Sequence, residues 1–177
     1  MRPEEYLVIG LGNPGRAYLA TRHNIGQVFV DWLNYRPDCE QIPTLKPDCY
    51  MNLSGETIQK HLDYYKIPVS QIVVAHDDVD LPFGEVRLKT RGRDGGHKGV
   101  RSIIKFLETK NFYRIRFGIG RPDNPDFPLE KFVLAKFKCE EIEHFSTMFQ
   151  EAKEILFSLP DPELETHHDI DPINRTV

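Results

Sequence analysis

Apolar and polar residues repeat with two different periods along the chain, and each period predicts a different kind of element. Short apolar runs indicate strands at 6–9, 71–76 and 112–119, and an alternating stretch indicates a half-solvated strand at 85–90. Apolar residues at three- and four-residue spacing indicate helices at 25–34, 53–65, 100–108 and 138–157. The alternation of strands and helices predicts a single α/β layer fold, with an edge strand near 42–45.

The hydrophobic pattern ends near residue 157. Pro, Asp, Glu and His dominate the remainder, so we expect a domain over 1–157 and a loosely held acidic tail over 158–177. The chain has 177 residues, which is the size of one domain with a real core. Asn24 is a candidate N-cap for the first helix.

Composition and charge restrict the function class. The net charge is −4, so the overall charge does not indicate a nucleic-acid partner. Any basic surface that binds nucleic acid must be local. Cys39, Cys49 and Cys139 show no paired spacing, which favours free thiols in a reducing compartment. We expect a cytoplasmic protein without a membrane segment, because no signal-peptide core occurs and no apolar run approaches about 20 residues.

The run Gly10-Leu11-Gly12-Asn13-Pro14-Gly15 follows the first predicted strand. Such a turn delivers polar groups to the carboxyl edge of a sheet, where open α/β folds keep their ligand sites. Asn13 offers an amide that donates and accepts, and His23 offers a base that titrates near neutrality. A plain turn followed by a surface histidine is the alternative. A dinucleotide fingerprint is excluded, because the run is too short and no acidic ribose partner follows a second strand.

Asp77 follows the central strand and is a candidate partner for His23. A carboxylate orients an imidazole and stabilises its protonated form, which suits His23 as a general base. From spacing alone, a capping role for Asp77 is equally open. His76 alternates to the opposite side, so we expect a packed or surface ring there. Asn52 begins a helix and could serve only as its N-cap.

Residues 95–99 form a glycine-rich segment before the third predicted helix. The unpaired backbone N–H groups at such a helix N-terminus can bind an anion. A local basic surface is predicted from Lys89, Arg91, Arg93, Lys98, Arg114 and Arg116. A solvated strand face is the other interpretation of these charges.

A metal centre is the competing chemistry. Its possible ligands are His23, His76, Asp77, Asp78 and His97. No His-Glu-x-x-His motif or paired-cysteine spacing supports it. A serine nucleophile fares no better, because there is no Gly-x-Ser-x-Gly elbow and Ser54 lies in the first turn of a predicted helix.

Several motifs occur together and in order. They are Gly10-Leu-Gly-Asn13-Pro-Gly, Tyr18-x-x-Thr-Arg-His23-Asn, Met51-Asn52-Leu-Ser-Gly, His76-Asp77-Asp78-Val-Asp80-Leu-Pro, Gly95-Gly-His97-x-Gly and Arg116-Phe-Gly-Ile-Gly-Arg121-Pro. With these motifs the chain resembles the bacterial-type peptidyl-tRNA hydrolases from about Tyr6 to Phe157. The resemblance implies a compact α/β domain with a twisted mixed sheet flanked by helices. It also implies hydrolysis of the ester between a peptide and tRNA by a monomer that needs no metal or cofactor.

The resemblance also implies site roles. His23 matches the base that activates water, Asp77 its supporting carboxylate, and Asn13 the residue that helps tell blocked from free aminoacyl groups. The substrate-binding positions are Tyr18, Tyr50, Met51, Asn52, His97 and Lys98. Lys89 and Arg116 match a basic pair that grips the 5′-phosphate of the tRNA, whose acceptor stem and 3′ end are the expected partner.

The chain departs from the family at three places. Lys98 stands where the family usually has Asn, and we expect a phosphate of the tRNA 3′ end to compensate its charge at a helix start. The connection over 34–45 is shorter than usual, and residues 161–171 are acidic where the family tends to be basic. A catalytically inactive RNA-binding paralogue on the same fold is therefore the alternative function.

Overall fold

Five strands form one mixed sheet in the computed structural model, which describes residues 5–160. The strands are β1 (Leu7–Gly10), β2 (Thr44–Leu45), β3 (Ile72–Asp78), β4 (Val86–Arg91) and β5 (Asn111–Gly118). Their order across the sheet is β2-β1-β3-β5-β4, with only β4 antiparallel to its neighbour. The predicted α/β class is confirmed, as is the mixed sheet that the resemblance implied.

Helices cover both faces of this sheet. They are α1 (Ile25–Asn34), α2 (Ser54–Tyr65), α3 (Lys98–Leu107), α4 (Leu129–Val133), α5 (Cys139–Ile142) and α6 (Phe145–Phe157). Val73 and Ala75 of β3 share one core with α1 and α6, while Ile72 and Val74 share the other core with α2 and α3. Because β3 is buried on both faces, its sequence is a continuous apolar run rather than an alternating one.

Glycine contacts fix the distance between α1 and the sheet. A Cβ atom on Gly26 would lie 2.1 Å from the carbonyl oxygen of Ala75, so no larger residue fits there. The backbones of α1 and β3 can therefore touch at this point. As a result, the 3₁₀ turn Arg22–Asn24 at the start of α1 lies next to the carboxyl end of β3.

Three local predictions need correction. The helix expected over 138–157 is two helices, α5 and α6, which are separated by Glu143 and His144. The helix α4 was missed, because five residues are too short to show a helical period. Asn24 does not cap α1, since its side chain bonds to the backbone of Asn13.

Two further local expectations, the edge strand and the free thiols, are met within the described part of the chain. The predicted edge strand near 42–45 is β2, reduced to two residues. Cys39, Cys49 and Cys139 are free thiols. Among residues 5–160, no helix combines the length and the apolar character that a membrane crossing needs. Most of the predicted acidic tail, 161–177, lies outside the described residues.

Candidate active site

A cleft of about 660 Å³ opens at the carboxyl ends of β1 and β3. Eight of the residues predicted for the site line it, namely Asn13, His23, Tyr50, Met51, Asn52, Asp77, His97 and Lys98. Tyr18 stands beside it, with its ring edge-to-face against Tyr50 at 6.5 Å between centroids. The fold therefore brings together residues that lie up to 85 positions apart in the sequence, from Asn13 to Lys98.

A buried carboxylate joins two imidazoles at the floor of this cleft. Asp77 Oδ1 lies 2.9 Å from His23 Nδ1 and 2.9 Å from His97 Nε2. The two rings are 4.7 Å apart between centroids, and all three side chains are buried. The contact between His23 and Asp77 is the one that the sequence led us to expect, whereas the second imidazole on the same oxygen was not foreseen.

The hydrogen-bond pattern assigns the ring hydrogens. His97 Nδ1 accepts the N–H groups of Gly99 and Val100 at 3.1 and 3.3 Å, which caps α3. Its hydrogen therefore lies on Nε2 and is donated to Asp77. His23 donates its Nδ1 hydrogen to the same oxygen, which leaves Nε2 with a free lone pair. Since His23 lines the cleft, this nitrogen is available to take a proton there.

Asp77 stays ionised in this setting. Burial raises its pKa, but the adjacent imidazoles of His23 and His97 outweigh burial and hold the pKa of Asp77 well below its usual range. A permanent negative charge therefore faces Nδ1 of His23. Such a charge stabilises the imidazolium that forms when the ring accepts a proton.

Asn13 is held by three hydrogen bonds that aim its amide group. Its backbone N–H donates to Asn24 Oδ1 and its carbonyl accepts from Asn24 Nδ2, each at 2.9 Å. Its side-chain Oδ1 accepts the N–H of Met51 at 2.8 Å. The Nδ2 group of Asn13 is thereby the donor left for the cleft, which Asn13 lines.

The wall beside Asn13 comes from the 3₁₀ turn Met51–Leu53. Met51 is buried and packs so closely on the start of α3 that a Cβ atom on Gly99 would lie 2.5 Å from its sulfur. Asn52 and Tyr50 are exposed at the rim of the cleft. Asn52 lies inside the 3₁₀ turn and is not the N-cap of α2, which is Leu53, so its amide is not used for capping.

The basic strand pair lies on the neighbouring edge of the sheet. Arg87 pairs with Arg116 and Lys89 with Arg114 across β4 and β5, so these four side chains share one face. Arg116 binds Asp78 at 2.9 Å and stays partly accessible. The prediction that Arg114 belongs to the basic surface is wrong. This residue is only 1% exposed, and its guanidinium binds backbone carbonyls of Gly92, Arg93 and Lys110.

Lys98 has a partner that the sequence did not reveal. Its Nζ lies 2.6 Å from a carboxylate oxygen of Glu130, so the ion pair links α3 to α4. The charge at the start of α3 is thus compensated within the protein, and the expected phosphate is not needed for that. Glu130, Leu129, Val133 and Leu134 form a cleft wall that we missed because α4 was not predicted.

His76 and Asp77 both line the cleft at the carboxyl end of β3, although successive side chains along a strand alternate in direction. The ring of His76 donates from Nδ1 to the carbonyl of Asp77 at 2.7 Å and packs edge-on against His97. Burial, together with His97, places the pKa of His76 well below the usual value for histidine. The ring is therefore neutral in the folded protein and contributes a pH dependence to stability.

Because of His76, we expect the folded protein to become less stable as the pH is lowered. In the unfolded chain this residue takes up a proton as the pH drops through about 6.5, while the buried ring does not. Replacing His76→Gln should make the decline in the free energy of unfolding between about pH 7 and pH 5 shallower, by up to about 1.4 kcal/mol per pH unit. Urea unfolding at several pH values measures this slope. The exposed His144→Gln is the control, and equal slopes in parent and His76→Gln would contradict the prediction.

The atoms of this hydrogen-bonded group are also of the kinds that bind metal ions. Within residues 5–160, His23, Asp77 and His97 form the one group of at least three ligand atoms that could hold an ion. Their atoms already bond to one another at 2.9 Å, and acid–base chemistry accounts for that arrangement. Asp78 binds Arg116, and His76 uses Nδ1 on a backbone carbonyl, so neither belongs to this group.

Comparison with known proteins gives a consistent result. The sequence model described as peptidyl-tRNA hydrolase matches residues 7–169. A peptidyl-tRNA hydrolase of Oceanobacillus iheyensis is 44% identical, with 76% of this chain and 81% of that protein covered. The corresponding protein of Bacillus cereus strain Q1 is 46% identical over 77% of this chain and 82% of its own.

A solved structure agrees with the sequence comparisons. The crystal structure of peptidyl-tRNA hydrolase from Acinetobacter baumannii superposes with a TM-score of 0.78 at 31% identity, covering 94% of this chain and 93% of that one. The agreement in fold extends over nearly the whole length of both proteins. This chain belongs to the peptidyl-tRNA hydrolase family.

Proposed function

We propose that this protein hydrolyses the ester between the peptide and the 3′-terminal ribose of peptidyl-tRNA, with His23 as the general base. The observation that carries the proposal is the geometry of His23, whose Nδ1 is held by ionised Asp77 while Nε2 is left for the cleft. Family membership supplies the substrate class. The roles of the individual residues are our inference from their contacts.

The reaction needs a positioned water and a proton acceptor. His23 Nε2 removes a proton from water as the water oxygen attacks the ester carbonyl carbon. The tetrahedral intermediate then breaks its bond to the ribose oxygen, and the imidazolium of His23 returns the proton to that oxygen. The products are a free tRNA 3′ end and the carboxylic acid of the peptide, which releases its proton to water and becomes a carboxylate. The charge of Asp77 stabilises the imidazolium between the two steps.

Two amides supply donors for the substrate. The Nδ2 group of Asn13 is pre-aimed by the bond from its Oδ1 to Met51, so it pays little reorganisation cost on binding. Asn52 at the rim offers a second amide near the same cleft. His97 contributes indirectly, because its bond from Nε2 keeps Asp77 Oδ1 in place. Tyr18, Tyr50 and Met51 provide the apolar surface for the peptide side.

Cleavage of an N-blocked aminoacyl-tRNA tests this proposal directly. Incubation with the protein should release free tRNA, while the unblocked aminoacyl-tRNA should be cleaved much more slowly. Binding without release would support the inactive RNA-binding alternative, which the comparisons do not support. Loss of activity on treatment with a chelator, restored by added metal, would favour the metal-dependent alternative instead.

The basic face of β4 and β5 is proposed to hold the 5′-phosphate through Lys89 and Arg116. Arg116 is already bound to Asp78, so Lys89 is the better residue to remove. For Lys89→Ala we expect weaker tRNA binding and a log–log salt slope reduced by roughly 0.7–0.9, as for one lost phosphate contact.

Titration of tRNA at several salt concentrations measures that slope. Lys60→Ala is the matched control, because Lys60 is an exposed lysine on α2 that pairs with Glu56. An identical slope for the parent and Lys89→Ala would show that this face does not carry the phosphate.

A further inference from the structure

Arg22 directly precedes His23 and is buried, with 5% of its surface exposed. Its Nη2 lies 2.7 Å from both carboxylate oxygens of Glu141, and its Nη1 donates to the carbonyl of Lys136 at 2.6 Å. The guanidinium carbon lies 4.7 Å from the ring centre of Phe132 and 5.1 Å from that of Phe137. Because Arg22 is buried and its guanidinium has these partners, it is part of the interior of the protein and not a surface charge.

The backbone around Arg22 is bonded to the same segment. The N–H of Arg22 donates to the carbonyl of Ala135, and the N–H of Phe137 donates to the carbonyl of Ala20, each at 3.0 Å. Thr21 and Lys136 form an antiparallel bridge between these bonds. The strip 20–22 is therefore paired with the strip 135–137, which connects α4 to α5.

The partner segment forms part of the cleft. The helix α4 and its C-cap Leu134 precede the strip 135–137, and the wall includes Leu129, Val133 and Leu134. Glu141 also accepts the backbone N–H of Lys138 at 2.6 Å, which closes the first turn of α5. Glu141 thus ties α5 to Arg22 while Arg22 leads directly into the turn with His23.

We infer that Arg22 is a positioning residue, which locks the turn bearing His23 to the α4–α5 wall and so sets the orientation of the His23 ring. The inference rests on the proposed role of His23. Arginine is required because its planar group serves a carboxylate and a backbone carbonyl together while lying against two aromatic rings. Lysine, with one flexible ammonium group, cannot satisfy these partners at once.

The test uses three variants of the full chain, Arg22→Lys, Arg22→Met and Arg22→Met/Glu141→Leu. The double variant removes both charges, so it leaves no unpaired carboxylate and replaces the ion pair by apolar side chains. In each variant we expect kcat to fall by about 10- to 100-fold, because small displacements of a reacting group are costly. KM should change by less than about threefold, since the groups that bind tRNA are elsewhere.

A second readout separates positioning from a charge effect and from simple destabilisation. In Arg22→Lys and in the double variant, which keep the net charge of this ion pair, the acid limb of the pH–rate profile should stay where it is in the parent, because Asp77 still faces His23. The NMR signal of the His23 Nδ1 hydrogen, bonded to Asp77 in the parent, should shift or broaden in the variants. This signal is read without substrate, so it remains informative even if His23→Ala shows that His23 is not the base.

Lys153→Met is the matched control for the loss of an ion pair between distant segments of the chain. Lys153 is also largely buried, binds Asp38 and lies over the ring of Phe157, but it is on α6 away from the cleft. It should lose comparable stability with unchanged kcat. Parental kcat in Arg22→Lys and the double variant would overturn the inference, and so would a loss of kcat with an unmoved His23 signal. If Arg22→Met fails to fold, the other two variants decide.

Discussion

Replacing His23→Ala is expected to lower the turnover of N-blocked aminoacyl-tRNA by about 10²- to 10⁴-fold. Of the two imidazoles bound to Asp77, His23 is the one whose second nitrogen, Nε2, is left free at the cleft. The variant loses this nitrogen. The affinity for tRNA should be nearly unchanged, because His23 is not on the basic face of β4 and β5. Single-turnover cleavage together with a binding titration measures both quantities.

His61→Ala provides the matched control, because His61 packs against Tyr65 on α2 outside the cleft. It should retain the activity of the parent. A His23→Ala protein that turns over within a factor of a few of the parent would remove His23 from the mechanism. The folded state of the variant is checked by its thermal transition.

Replacing Asp77→Asn isolates the charge of the carboxylate. Both imidazoles donate to one oxygen, Oδ1, so the single carbonyl oxygen of an asparagine can keep both bonds. What is lost is the negative charge, which is present at all pH values of interest since the pKa of Asp77 lies well below its usual range. The imidazolium of His23 is then less stable, so turnover should drop by about tenfold or more.

The sign of the pH effect follows from the same loss. Without the charge, His23 gives up its proton more readily, so the acid limb of the pH–rate profile should move to lower pH. Asp80→Asn is the control, because Asp80 is exposed and pairs with Arg121. An acid limb that does not move would mean that Asp77 supports the fold but not the proton transfer.

The elements with long patterns and the site residues within motifs were predictable. The helix α1 was expected at 25–34 and is found at Ile25–Asn34, because its apolar stripe is long and regular. The contact of His23 with Asp77 followed from the topology, since the polar groups after two strands meet at one edge of the sheet. Asn13 follows β1 and reaches the cleft for that reason, whereas Asn52 reaches it from the turn before α2.

What sequence reasoning missed depends on contacts between distant segments. The helix α4 has only five residues, so the sequence shows no helical period there. The ion pair between Glu130 of α4 and Lys98 was therefore missed as well. Arg114 looked like a surface charge because alternation along a strand gives the face but not what covers it. No role of its own was predicted for Arg22, because its partner Glu141 lies far along the chain.

The position of His97 has a consequence for how the site can be observed. One nitrogen of this ring caps α3 and the other holds Asp77, so the helix end and the carboxylate form a single mechanical unit. Any event that displaces the ring must release the backbone N–H groups of Gly99 and Val100 to solvent. Hydrogen exchange at these two amides therefore serves as a substrate-free gauge of whether the carboxylate is in its working position.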